Sequence, residues 1–119
     1  MFFNLSGCYP QAPKKIVVSE GYSWDFQEVK EGSVLKHIFI LKNASGKILN
    51  IKGIDTSCGC TVSEVAKRSL SPGEETKLEV TFNTKGYSGL TQQFIYVHTD
   101  DLDNPVVRYI IKAKVIKHN

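Results

Sequence analysis

The sequence predicts an all-β sandwich. Three observations carry this: apolar and polar residues alternate with period two, helical periodicity is almost absent, and turn residues punctuate the chain at short regular intervals. Ile16, Val17 and Val18 make residues 15–19 a β-branched strand. Trp24-Asp25-Phe26-Gln27-Glu28-Val29 alternates as a second, with breaks at Glu20-Gly21 and Glu31-Gly32. Residues 34–41 form a strong strand with Leu35, His37, Phe39 and Leu41 on one face and Val34, Ile38 and Ile40 on the other. Apolar residues on both faces predict a central strand partly covered on both sides.

Asn43-Ala44-Ser45-Gly46 reads as a turn, and residues 48–54 as the strand that leads into Cys58-Gly59-Cys60. Residues 61–65 read as a short edge strand. Leu70-Ser71-Pro72-Gly73-Glu74 is a turn, followed by a strand with Leu78, Val80 and Phe82 on one face. Residues 83–89 form a loop. Two long strands, 90–99 and 106–116, are joined by Asp100-Asp101-Leu102-Asp103-Asn104-Pro105. No internal repeat or second domain is visible.

At 119 residues the chain is one domain with room for a continuous core. A hydrophobic fraction of 41% and a charged fraction of 23% argue against disorder. The net charge of +3 comes with scattered lysines, which argues against a nucleic-acid partner. No stretch reaches the apolar length that crosses a bilayer, so membrane contact is expected only through an N-terminal lipid anchor. Leu5-Ser6-Gly7-Cys8 resembles the lipobox of bacterial lipoproteins, whose cysteine becomes the lipidated first residue. Only four residues precede Leu5, too few for a basic region and an apolar segment. A truncated lipoprotein signal is favoured over coincidence. Cys8 is then the candidate lipidation site, and residues 1–13 are a flexible tether ahead of a domain at 14–117.

Three cysteines suit an anchor plus a separate pair better than a disulfide framework. The candidate thiol site is Cys58, Gly59 and Cys60, with three readings open. A Cys-x-Cys bridge closes a small ring; a turn at Gly59 would permit it, strained and easily reduced. Two thiolates on a short segment suit a soft ion such as Cu(I), whereas zinc needs four ligands, and only His37, His98 and His118 offer imidazoles. The favoured reading is packing: both cysteines seal one end of the sandwich while Ser57 and Thr61 bond local backbone. His37 and His98 are expected to be structural, with ring nitrogens on backbone groups. No cofactor or metal is assigned.

The acidic loop 100–104 reads as Asx turns rather than a Ca²⁺ site, because its spacing does not match an EF-hand. Trp24 is expected in the core between the sheets. No nucleophile elbow, phosphate loop or catalytic triad is present, so no enzyme is predicted.

One family resemblance runs through the chain. Its residues are Trp24-Asp25-Phe26, Val29, Glu31-Gly32, His37-Ile38-Phe39, Lys42-Asn43, Ser45-Gly46, Leu49-Asn50-Ile51, Ser57-Cys58-Gly59-Cys60-Thr61, Ser71-Pro72-Gly73, Val80-Thr81-Phe82-Asn83, Gly89 and Asn104-Pro105. In this order they resemble the bacterial domain of unknown function 1573 family over residues 14–116, with Ser57 to Thr61 the most specific part. The resemblance implies an immunoglobulin-like β-sandwich of about seven to nine antiparallel strands, related to major sperm protein, PapD-like and ASH-type domains. It also implies export or lipid anchoring, and no established activity.

The expected function is a non-catalytic immunoglobulin-like interaction module with a protein partner in the bacterial cell envelope, periplasm-facing or as an outer-membrane lipoprotein. Residues 58–61 and 85–89 are its expected working surfaces. The alternatives are a thiol-based redox or Cu(I)-binding protein using Cys58 and Cys60, and a cytoplasmic location.

Overall fold

A computed structural model describes residues 17–19, 21–59 and 61–117. The expected tether, 1–13, lies outside them. Among the described residues there are nine strands and no helix: β1 (Val17–Ser19), β2 (Ser23–Lys30), β3 (Val34–Asn43), β4 (Leu49–Thr56), β5 (Thr61–Val65), β6 (Ser69–Leu70), β7 (Glu75–Asn83), β8 (Gly89–Thr99) and β9 (Val106–Ile116). They form two sheets, β1-β3-β7-β5 and β2-β9-β8-β4-β6, packed as an immunoglobulin-like sandwich. Residues 61–65 lie at an edge, as the sequence predicts.

Not every strand pair is antiparallel. β2 runs parallel to β9. The register of this pair shifts between Asp25 and Glu28. Gln27 accommodates the bulge at φ 65°, with its N–H held by Asp25 Oδ1 at 2.7 Å.

Period-two patterning sorts the side chains. Thr76, Leu78, Val80 and Phe82 of β7 face Ile95 and Val97 of β8 and Tyr109 and Ile111 of β9, all buried. Each such aliphatic side chain contributes about 1.5–3 kcal/mol on burial. The faces of β3 depart from expectation. Phe39 and Leu41 are buried, but Val34 and Ile38 on the other face are 57% and 45% exposed. The sandwich has two sheets, so this one is faced by the other on its inner side only.

At the 100–105 turn, Asp101 Oδ1 accepts the Asp103 N–H and its Oδ2 accepts the Asn104 amide, which confirms the Asx reading. Asp100 accepts both the backbone N–H and the side-chain amide of Asn50, at 2.9 and 2.8 Å. These donors hold its carboxyl below the usual carboxylate range, the side-chain bond most strongly.

Candidate functional site

Two segments merit description: the crossover from β4 to β5, and the margin where β2 meets β3.

The crossover carries the chain from one sheet to the other through Ser57, Cys58 and Gly59. Ser57 Oγ donates to Gln93 Oε1 at 2.6 Å and accepts the Phe94 N–H at 3.0 Å. The Thr56 hydroxyl reaches the carbonyls of Cys58 and Thr61, at 2.9 and 3.1 Å. Thr61 donates its N–H to the Cys58 carbonyl at 3.3 Å. Cys58 is half-buried and disulfide-bonded. A bridged sulfur has no proton to give, so the Thr61 hydroxyl is the donor in their 3.5 Å contact. Gly59 is exposed. Cys60, Cys8 and His118 lie outside the described residues. Ser57 bonds Gln93 and Phe94 of β8 rather than local backbone, and a bridged Cys58 offers no free thiolate.

The histidines do not converge. His98 stands on the outer face of the five-stranded sheet, with Nε2 2.8 Å from Asp55 Oδ2. His37 faces inward from β3 toward the aromatic side chains of β2. Neither ring bonds backbone among the described residues: rings pack His37, and a carboxylate holds His98. Among the described residues no three His, Cys, Asp or Glu side chains gather to hold a metal.

The 85–89 loop is tied down. The Gly86 N–H donates to Glu31 Oε2 at 3.0 Å, and the Thr84 hydroxyl donates to the Ser33 carbonyl at 2.7 Å. Tyr87 packs its ring on Phe82, with centroids 5.3 Å apart. Gly86 and Gly89 hold φ of 85° and 79°, a region closed to most side chains.

The β2–β3 margin is built differently. Trp24 is 45% exposed, not in the core. β2 pairs with β9 at the outside of its sheet, so its first residues extend past the cover of the facing sheet. Trp24 stacks on His37 at 4.3 Å with 10° between the rings, and His37 meets Phe39 edge-on at 4.6 Å. Phe39 in turn touches buried Tyr109 at 4.7 Å. An unbroken file of rings thus links the surface to the core. Gly21, Ser23, Trp24, His37, Ile38 and Ile40 line a groove of about 260 Å³ beside this file. The sequence signal for it was present in Val34, Ile38 and Ile40, apolar residues at positions where a half-covered strand carries polar ones.

Burial lowers the pKa of His37 below 6.5. Because the folded value is depressed, the stability linked to neutral His37 is complete above 6.5 and is lost as pH falls through the folded value. Trp24→Ala is expected to admit water and move the His37 midpoint up toward 6.5, read by NMR titration of the imidazole. An unmoved midpoint would show that Trp24 does not shield it.

The family model described as a protein of unknown function, DUF1573, matches residues 17–115. No curated protein matches the chain in sequence. Among solved structures, a protein of unknown function from Porphyromonas gingivalis W83 aligns with a TM-score of 0.73 at 16% identity, over 83% of this chain and 46% of its own. This chain therefore spans about half the length of that protein. The ASH / PapD-like domain 7 of human CEP192 aligns with a TM-score of 0.62 at 17% identity, covering 100% of this chain and 98% of its own. The periplasmic chaperone SfaE aligns at 0.56 and 14% identity, over 87% and 57%. These likenesses establish the PapD-like, immunoglobulin-like fold.

Proposed function

This chain belongs to the protein-of-unknown-function family DUF1573, and on that premise we propose that it is a non-catalytic interaction module of the bacterial cell envelope. One observation carries the reading. Trp24, Val34 and Ile38 are 45%, 57% and 45% exposed along the margin formed by β2 and β3. Single exposed apolar residues are ordinary, but Trp24 and Ile38 line one groove together and Val34 continues the Ile38 face of β3, which marks a contact surface. The envelope assignment is supported by the disulfide at Cys58, which suits an oxidising compartment. The lipobox-like Leu5-Ser6-Gly7-Cys8 supports it from the sequence.

Site-specific photo-cross-linking tests the module. A photoreactive residue at Ile38 is expected to give a discrete adduct in envelope membranes, lost on Trp24→Ala. The same group at Leu102, 94% exposed on a distant turn, is expected to give none. Equal adducts from both positions, or none from either, would reject the reading. Cys8→Ala should release the protein from the membrane fraction; unchanged fractionation would reject the anchor.

A further inference from the structure

The margin that carries the proposed contact also exposes backbone that no described residue pairs. Asn43 donates its N–H to the Glu74 carbonyl and accepts the Gly73 N–H at its own carbonyl, both on the β7 side. Backbone groups alternate sides along a strand, so Val34, Lys36 and Ile38 direct theirs away from β7. On that side the described residues of β1 pair with Leu41, Lys42 and Asn43. No described residue bonds the outward groups of Val34, Lys36 or Ile38. Six donors and acceptors thus line a strand edge of about 17 Å, at ~3.3 Å per residue. The opposite edge of this sheet differs: at the start of β5, Thr61 spends its N–H on Cys58 and its carbonyl on Thr56.

We infer, resting on the module reading, that residues 34–38 of β3 receive an extended segment of a partner protein as an added strand. An extended chain is the ligand that matches alternate backbone donors and acceptors along a sheet edge. The side chains set its chemistry. Val34, Lys36 and Ile38 present apolar, cationic and apolar groups in turn on the outer face, and Lys36 has no ion pair among the described residues. The complementary strand carries a carboxylate opposite Lys36, flanked by aliphatic residues. Its alternate side chains turn inward beside Trp24 and His37. A second copy of this chain fits poorly, because pairing centred on Lys36 sets two ammonium groups against each other.

The probe is a capped synthetic peptide, Thr-Val-Val-Glu-Val-Val-Thr. Trp24, the sole tryptophan, lines the groove and reports binding by fluorescence. Saturable binding is expected, with the Lys36 and Ile38 amides becoming protected from hydrogen exchange. Replacing the central Glu by Lys should weaken binding roughly tenfold, and Lys36→Glu should reverse that preference. A strand pairs through alternate amides only. N-methylation of one alternate set should therefore abolish binding, and methylation of the other should leave it intact.

Absence of a saturable response, equal tolerance of both methylated sets, or protection confined to β5 would overturn the inference. So would concentration-dependent dimerisation that protects residues 34–38 without peptide. If such a result accompanies Trp24-dependent cross-linking at Ile38, the module stands and only strand addition fails. If cross-linking fails as well, both fall.

Discussion

Phe82→Ala is expected to lower the free energy of unfolding by about 3–5 kcal/mol, measured by urea denaturation. Phe82 is 1% exposed on β7, an inner strand of its sheet, opposite Leu35 of β3 and Thr61 of β5. Its ring also holds Tyr87, which anchors the 85–89 loop. Truncation removes the transfer term and leaves a cavity between strands that are paired on both flanks and cannot close in. Domains of this size are stable by only about 5–15 kcal/mol, so the variant should lose a large share. Leu90→Ala is the control: that side chain is 88% exposed, and its loss should change stability by less than about 0.5 kcal/mol. Equal shifts for the two variants would refute the placement of the core.

Asn43→Ala should cost about 2–4 kcal/mol by the same measurement. Asn43 is fully buried at the end of β3. Its amide donates to the carbonyls of Lys47 and Leu70, at 2.7 and 2.9 Å. Its Oδ1 accepts the Ser45 N–H at 3.0 Å and the Ser45 hydroxyl at 2.7 Å. One side chain therefore closes the 43–47 turn and ties it to β6. Removing it takes one donor from the buried Leu70 carbonyl and unties the 43–47 turn from β6, which costs more than the loss of an exposed bond. Asn43→Asp should be at least as damaging, since a carboxylate would face two carbonyl oxygens with no donor. If both variants unfold at the parent midpoint, the bonding described is not structural.

The strands were legible because burial has a period. Leu78, Val80 and Phe82 announce a half-covered strand from any single sequence, and the structure buries all three. The same rule says less at β3, where a second apolar face reads as partly covered and Val34 and Ile38 are 57% and 45% exposed. Alternation records which residues are apolar, not whether a neighbour arrives to cover them. Trp24 shows the same limit: size and hydropathy suggest the core, but its strand overhangs the facing sheet. Asn43 was readable as a turn residue. Its burial was not, because that depends on β6 returning from 27 residues downstream.

Local chemistry along the chain was enough to determine an all-β sandwich, its strands apart from the two-residue β6, most of its turns and the family marker around Cys58. Alternation and turn propensity are properties of neighbouring residues and survive without tertiary information. Tertiary structure alone decided the parallel pairing of β2 with β9, the open backbone of β3 and the ring file from Trp24 to Tyr109. Each depends on where a distant strand stops. Ser19 opposite Leu41 is the last described pair of β1 with β3, and β2 belongs to the other sheet. Such placements are set by residues far apart in the chain, which no local pattern records.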